Sequence, residues 1–315
     1  VEPIVWFAVF LLLTAAVVFI GVQKGIEKAS TILMPILIIL IVCISIFCAT
    51  RPGALAGVKY YLLPDIKHFS ATTVLAAMGQ LFYSMSLAMG IMITYGSYMK
   101  KEDDLRDSVR KIEIFDTVVA LLAGLMIVPS VFAFSGGSKE ALSKGPSLMF
   151  VTMPKVFNSM KIGSLIGAGF FILVLFAALT SAISLLETNV SIICDKLHWS
   201  RKKSTVVATL YCLIVGGLIS LGYGPLSFIK IIGMNLLDFF DFISNSVLMP
   251  IVAMLTCIFI GYIVKPKTII DEVELGGKTF KEKKFYVVML KYVAPVCLLL
   301  ILLFAVSEAL GLIKV

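Results

Sequence analysis

The stretch GQLFYSMSLAMGIMITYGSY, from Gly79 to Tyr98, decides the fold of this chain. It belongs to an apolar segment, Thr72 to Tyr98, that is long enough to cross a membrane, yet its middle carries glutamine, serine and glycine residues. A lipid-facing helix does not tolerate such a sequence, because each unsatisfied backbone group costs several kcal/mol in hydrocarbon. The pattern predicts a spanning helix that breaks inside the bilayer. The alternative is a continuous Gly/Ser-rich helix packed closely against its neighbours.

Composition identifies an all-α integral membrane protein. Of the 315 residues, 60% are hydrophobic and 15% are charged, and the mean hydropathy is +1.04, which lies outside the range of soluble domains. Each apolar run can cross about 30 Å of hydrocarbon as a helix. About eight transmembrane helices are therefore predicted, at Ile4 to Val22, Thr31 to Cys48, Thr72 to Tyr98, Ile112 to Phe134, Gly163 to Cys194, Thr205 to Tyr223, Asn235 to Val264 and Phe285 to Leu312.

The distribution of basic residues predicts the orientation. Most of the 27 Lys and Arg residues lie in alternate connections, beginning with Gln23 to Ser30. Because basic connections stay on the cytoplasmic side, both ends of the chain are predicted to be extracellular. The net charge of +8 is thus a topology signal, and nucleic acid is not an expected partner.

The fifth run, FAALTSAISLLETNVSIICD, carries a polar stripe. At 100° per residue, six of its residues fall within about 40° of one line, with Thr180 and Glu187 at the border; these six are Ala177, Ser181, Ser184, Thr188, Ser191 and Asp195. A polar stripe must face protein or water, not lipid. The stripe favours a permeation route, and interhelical hydrogen bonding is the alternative.

Acidic residues occur inside or at the edge of the spans. They are Asp116, Glu187, Asp238 and Asp241. A central carboxylate costs roughly 2.5 to 3.5 kcal/mol on insertion scales, so it needs a cation, an arginine or a proton as partner. Motifs of hydrolases and nucleotide-binding enzymes are absent from the sequence, and the six cysteines lack metal-ligand spacing. We therefore do not expect an enzyme.

Three connections are long enough to interpret. The piece GPSLMFVTMPKVF, between Ser135 and Ile162, is apolar but too short to span, so it either dips into an extracellular vestibule or forms a loop helix packed on the bundle. The strings KEDDLRDSVRK and KPKTIIDEVELGGKTFKEKK mix charges and read as solvated connections.

Several of these pieces together resemble the neurotransmitter:sodium symporter family, in particular its bacterial amino-acid transporters. The matching pieces cover nearly the whole chain: GVQKGIEKASTILMP, YYLLPDIKHF, GQLFYSMSLAMGIMITYGSY, FDTVVALLAGLMIVPSVFAF, FAALTSAISLLET with DKLHWSRKK, and LLDFFDF. By this resemblance the eight spans correspond to family helices four to eleven, and helices one to three are absent.

The resemblance implies a leucine-transporter-like fold of two inverted five-helix repeats, present in part as one transmembrane domain. Residues 1–50 would be the last two helices of the first repeat, 72–264 the second repeat and 285–312 an additional helix. It also implies sodium-coupled import of an amino acid by alternating access in the plasma membrane, the inner membrane of a bacterium. The resemblance leaves both a monomer and a homodimer as alternatives.

The resemblance also assigns site residues. For the substrate these are Tyr83, Ser84, Ser86, Met89, Ser181, Ser184 and Leu185. For two sodium ions they are Ser84 and Asp116 at one site, and Ala177, Thr180 and Ser181 at the other, each site being completed by the missing first helix. For the gates they are Ser97, Tyr98, Asp195 and Asp241, and for a hinge in the fifth family helix, Gly25 and Pro35.

Two positions depart from the commonest family pattern. Asp116 stands where the family often has an asparagine, and Ala120 where chloride-dependent members have a serine. A fixed carboxylate near sodium replaces a chloride ion electrostatically, so chloride is not expected to be required. Tyr83, Met89 and Leu185 favour a hydrophobic or aromatic amino acid. A proton-coupled or exchanging carrier that titrates Asp116 or Glu187, and a non-transporting sensor or accessory protein, are the alternatives.

Overall fold

A computed structural model describes residues 2–136, 147–160, 162–275 and 279–311. Within these ranges the chain is helical, apart from an isolated bridge between Ile231 and Met234. In chain order the helices are α1 (Glu2–Ile20), α2 (Val22–Ala49), α3 (Ala54–Leu62), α4 (Ala71–Ser84), α5 (Ile91–Ser97), α6 (Leu105–Ser135), α7 (Met153–Asn158), α8 (Gly163–Leu197), α9 (Arg201–Tyr223), α10 (Leu236–Val264), α11 (Pro266–Val273) and α12 (Lys283–Ala309).

Among the described residues, seven helices are long and apolar enough to cross a membrane: α1, α2, α6, α8, α9, α10 and α12. They confirm seven of the eight predicted spans. Helices α2 and α6 begin about two turns earlier than the apolar runs, because hydropathy does not detect the polar first turns of a helix. The all-α membrane fold class is therefore confirmed.

The remaining predicted span is the broken helix. Helix α4 ends at Ser84 and α5 begins at Ile91. Between them the backbone has positive φ at Ser86 (54°), Ala88 (61°) and Gly90 (79°). A right-handed helix cannot continue through such residues. The predicted discontinuity is confirmed, and it lies in the middle of the Gly/Ser-rich stretch.

The chain divides into two compact units. The first contains Val1–Phe19, Ser70–Ile112 and Ser184–Val315, and the second contains Ile20–Phe69 and Glu113–Ile183. Three of these boundaries lie within a helix, in α1, α6 and α8. The division into inverted repeats stays a prediction.

In the second unit, α3 packs directly on α6 through glycine. A Cβ on Gly57 would come within 2.7 Å of the Pro129 Cα, so only glycine permits this approach. One turn further along α3, the Tyr61 ring lies over Gly124, and its hydroxyl donates to the Ala120 carbonyl at 3.4 Å. Gly57 on α3 and Gly124 on α6 thus set the distance between the two helices.

The apolar piece after α6 forms a packed loop helix. Met153, Val156 and Phe157 of α7 are buried in the second unit. The Phe157 ring lies 5.1 Å from the Phe170 ring of α8, measured between centroids. For the described part of this connection, residues 147–160, the loop-helix alternative is the one observed. Residues 137–146 and 161 lie outside the described residues.

In the first unit, α4, α10 and α12 share a small core. It is formed by Phe82, Met249 and Leu298, and Met89 from the helix break packs against it. Helices α1 and α9 also meet closely, because a Cβ on Gly216 would lie 2.5 Å from the Phe7 ring. The break is therefore anchored to apolar side chains on one side.

Each of the two charged strings contains part of a helix. The first contains the start of α6, where the Asp104 carboxylate accepts from the Asp107 N–H at 3.0 Å and caps the helix. The second contains α11, whose apolar and charged residues lie on opposite faces. An exposed ion pair of 2.6 Å joins Arg106 to Glu282. Most described residues of both strings are exposed, as expected of solvated connections, and each string also contains helical residues.

Candidate functional site

The break in the first unit brings polar groups into an apolar helix. Tyr83 and Ser84 are the last residues of α4, and Ser86 and Met89 lie in the break. Tyr83 is 48% exposed, and the other three are half-buried. Carbonyl groups that leave the helical ladder in such a break are available to ligands. The break can therefore offer both hydroxyl and backbone oxygens.

Gly90 starts the second half of the broken helix under two constraints. Its φ is +79°, and a Cβ there would come within 2.8 Å of the Thr188 Cγ2 on α8. Glycine meets both constraints because it has no side chain. The close approach holds the start of α5 against α8.

We expect Gly90→Ala to destabilise the protein by about 1–3 kcal/mol, because the new methyl adds strain and a clash at the break. Thermal unfolding measures the effect. Adding Thr188→Ser removes the clashing methyl and should restore part of the loss. Gly217→Ala on α9, where a Cβ meets nothing within 4 Å, is the matched control. Equal behaviour of Gly90→Ala and Gly217→Ala would contradict the prediction.

Two tyrosine hydroxyls dock α5 on α8. The Tyr95 hydroxyl lies 2.8 Å from the Ser184 hydroxyl, and the Tyr98 hydroxyl donates to the Glu187 carboxylate at 2.6 Å. The tyrosines are three residues apart, as are their partners, so both bonds fall on one face of each helix. Ser184, a predicted substrate contact, is thereby held by the broken helix.

Glu187 is the centre of a buried polar network. Its side chain is fully buried, and both carboxylate oxygens accept from Arg201, with 2.9 Å between Nη1 and Oε1. The Arg201 Nε and Nη2 also donate to the Val18 carbonyl of α1, at 3.2 and 2.9 Å. Val18 belongs to the last turn of α1, whose carbonyls have no partner within the helix. Arg201 therefore neutralises Glu187 and caps α1 with one guanidinium group.

Arg201 is the residue that sequence reasoning missed. It lies before the predicted span Thr205 to Tyr223, whereas it is the first residue of α9 and its side chain is only 30% exposed. The sequence does carry a signal, because a carboxylate inside a span requires a cation. The identity of that cation depends on the turn of residues 198–200 between α8 and α9, which the sequence pattern does not specify.

The predicted inner-gate residues are found apart. Tyr98 bonds to Glu187, whereas Asp195 is exposed about two turns further along α8. The Ser97 hydroxyl donates to the Thr94 carbonyl of its own helix at 2.6 Å. Tyr98 thus bonds to Glu187, and not to Asp195, in this structure.

The predicted outer-gate acid, Asp241, lines a cavity of about 480 Å³ in the first unit. The Asn245 amide donates to the Asp241 carboxylate at 2.6 Å, and Glu308 adds a second acid. The other lining residues are Leu75, Ala76, Gly79, Gln80, Phe82, Tyr83, Ser246, Ile301, Phe304 and Ala305. Tyr83, a predicted substrate residue, thus lines the same cavity as Asp241.

The second unit holds the predicted ligands of the other sodium ion on α8. The Thr180 hydroxyl lies 3.0 Å from the Ala177 carbonyl and 3.1 Å from the Phe176 carbonyl. The next residue, Ser181, is exposed. Hydroxyl and carbonyl oxygens are the neutral, hard donors that suit an alkali cation. The donor set fits sodium, and adjacent oxygens 3.0 Å apart can share one ion.

Three further predicted residues lie in the second unit. Asp116 is half-buried on α6, one turn before Ala120. Gly25 is buried in a π-helical stretch, Val22–Glu27, and Pro35 lies within α2. A π-helical turn and an internal proline are weak points of a helix. The predicted hinge residues thus occupy irregular backbone.

The chain is similar to known proteins of one family. A model of the sodium:neurotransmitter symporter family matches residues 3–312. The uncharacterized sodium-dependent transporter YhdH of Bacillus subtilis is 37% identical over 298 residues, which cover 94% of this chain and 65% of that protein. A sodium-dependent transporter of Haemophilus influenzae is 32% identical, covering 98% and 65%. The chain thus spans about 65% of the length of these curated relatives.

A solved structure is similar as well. The crystal structure of MhsT in complex with L-phenylalanine superposes with a TM-score of 0.85 at 38% identity, covering 96% of this chain and 68% of that one. The sodium- and chloride-dependent glycine transporter 1 of Xenopus laevis is 29% identical over 308 residues, covering 93% of this chain and 47% of that protein.

Proposed function

Because the chain belongs to the sodium:neurotransmitter symporter family, we propose that the protein imports an amino acid together with sodium ions by alternating access. The helix break at residues 85–90 is the observation that carries the proposal, since it supplies ligand oxygens inside an apolar segment. The family is one of transporters, which agrees with the absence of enzyme motifs in the sequence.

Two sodium sites are part of the proposal. Ser84 and Asp116 contribute to one, and the Ala177 carbonyl with Thr180 and Ser181 contributes to the other. The close pair of oxygens on α8 supports the second site. The hinge at Gly25 and Pro35 would let water reach sodium when the transporter opens inward, and the irregular backbone there supports this role.

The proposed substrate is a hydrophobic or aromatic amino acid. Tyr83, Met89 and Leu185 would line its side chain, while Ser86, Ser181 and Ser184 offer hydroxyls. The similar transporter MhsT was crystallised with L-phenylalanine, which supports an aromatic substrate. In a sodium-dependent binding screen of the twenty amino acids, large apolar ones should bind at least tenfold more tightly than charged ones. Preference for a charged amino acid would overturn the substrate class.

A proton-coupled or exchanging carrier is the second candidate. The half-buried carboxylate of Asp116 favours it, since such a group can carry a proton. The Glu187 carboxylate accepts two charge-assisted hydrogen bonds from Arg201 and is thus already paired. Dependence of uptake on pH without sodium would select this candidate.

We expect uptake to be indifferent to replacing chloride with gluconate. Asp116 would supply the fixed negative charge that offsets sodium and a zwitterion in a low-dielectric site. Asp116→Asn combined with Ala120→Ser should create a chloride requirement, measured as uptake against chloride concentration. Ala120→Ser alone is the control and should change little. A chloride requirement of the native protein would remove this role from Asp116.

The proposed location is the inner membrane of a bacterium, with the lysine-rich connections in the cytoplasm and both chain ends outside. The helices of spanning length establish only that the protein is multi-pass. Protease protection of an epitope placed between α11 and α12 would test the orientation.

A further inference from the structure

Helix α12 carries a lysine within its membrane-spanning part. Lys291 is eight residues beyond Lys283, the first residue of the helix, which is about 12 Å along the axis. A lysine at such a depth extends its charged end toward the interface. Helical side chains tilt toward the N-terminus of their helix, so the ammonium of Lys291 is directed toward the Lys283 end.

Contacts with α10 fix the position of Lys291. Its aliphatic stem packs on Gly261, where a Cβ would lie 3.3 Å from the Lys291 Cγ. Its ammonium lies 5.1 Å from the centroid of the Tyr262 ring, and the Tyr262 hydroxyl donates to the Lys291 carbonyl at 3.3 Å. Both contacting segments are π-helical, Phe259–Val264 and Met289–Val293. The lysine is thus held at a built junction rather than left on a free surface.

Lys265 adds a second charge beside this junction. It directly follows α10 and has φ of +72°, a conformation that glycine adopts at lower cost. The following Pro266 also restricts its backbone. A non-glycine residue held in such a conformation suggests that its side chain has a role. Lys265 is exposed, as is Lys284, which lies about two turns before Lys291.

The nearest acids are engaged elsewhere. The Glu274 carboxylate accepts from the Lys283 ammonium at 2.6 Å and from the Phe280 N–H at 2.9 Å, and these bonds lower the pKa of Glu274. Glu282 is paired with Arg106. Even with Asp271 and Glu272 counted in full, residues 265–291 contain seven lysines against four acids. Positive charge therefore remains at the end of the α10–α12 junction.

We propose that the α10–α12 junction binds the headgroup of an anionic phospholipid. Lys265, Lys284 and Lys291 would contact the phosphate, and Tyr262 would keep Lys291 in place. Exposed apolar side chains of the same two helices, Ile263 (68%) and Tyr292 (61%), offer a surface for the acyl chains. Basic pockets between membrane helices recognise lipid headgroups in this way.

The full-length protein in phosphatidylcholine nanodiscs is titrated with phosphatidylglycerol, and bound lipid is counted by native mass spectrometry. Lys291→Gln and Lys265→Gln should each weaken phosphatidylglycerol binding about fivefold, whereas Lys291→Arg should keep it. Lys196→Gln at the exposed end of α8 changes the same charge away from the junction and is the control.

Two outcomes would overturn the site: no preference for phosphatidylglycerol over phosphatidylcholine, or an equal loss in Lys196→Gln and Lys291→Gln. Thermal unfolding in phosphatidylcholine alone confirms that each variant is folded. Because Lys265 and Lys284 are exposed, Lys265→Gln with Lys284→Gln tests the site even if Lys291→Gln fails to fold. Retained binding in that double variant would also reject it.

Discussion

Arg201→Met should lower the free energy of unfolding by about 3–5 kcal/mol, because it leaves a buried carboxylate without its cation. Glu187 is fully buried, and Arg201 provides both of its charged hydrogen bonds. The change also removes the two bonds that cap α1 at Val18. Chemical unfolding of the detergent-solubilised protein measures the loss.

Replacing Glu187 and replacing Arg201 should lower the free energy of unfolding by different amounts. Glu187→Gln should lower the free energy of unfolding less, by about 1–2 kcal/mol. The Arg201 side chain is 30% exposed, so water can solvate it, and it keeps its hydrogen bond to the Val18 carbonyl. The double variant should be more stable than Arg201→Met alone, which a double-mutant cycle would detect. Arg106→Met is the matched control, since its ion pair with Glu282 is about half exposed on both sides and is worth roughly 0–1 kcal/mol. If Arg106→Met costs as much as Arg201→Met, burial does not determine the effect.

Thr180→Val combined with Ser181→Ala should abolish sodium-driven uptake. The two hydroxyls are proposed ligands of one ion, and neither valine nor alanine supplies an oxygen from its side chain. The variant should still fold, because α8 keeps its backbone hydrogen bonds when the Thr180 hydroxyl no longer donates to the carbonyls at Phe176 and Ala177. Uptake of a radiolabelled amino acid against sodium concentration measures the effect.

The control for this variant is Thr209→Val on α9. Its hydroxyl also bonds to the carbonyl four residues earlier, that of Thr205 at 2.7 Å, but it belongs to no proposed site. It should leave the sodium dependence unchanged. Undiminished sodium coupling in the Thr180→Val, Ser181→Ala variant would reject the second sodium site.

Features that depend on local sequence could be predicted, whereas contacts between residues far apart in the chain could not. Membrane spans depend on local hydropathy, so the bounds of α8 and α10 were predictable to within a few residues. The break between α4 and α5 was predictable as well, because glycine and serine act on the backbone at their own positions.

Contacts between distant residues were not predictable in the same way. Arg201 contacts Val18, which lies 183 residues earlier in the chain, and nothing in either local pattern specifies that pairing. The approach of α3 to α6 depends on Gly57 facing Pro129, a match of two surfaces rather than of two motifs. The position of α5 along α8 determines that Tyr98 bonds to Glu187 rather than to Asp195.

Uptake by the full-length protein in proteoliposomes, with sodium and proton gradients imposed separately, tests the central claim most directly. The account predicts that L-phenylalanine or a similar apolar amino acid accumulates when sodium is higher outside, at any imposed pH gradient, and not when potassium replaces sodium. Accumulation that follows the proton gradient and persists without sodium would contradict it.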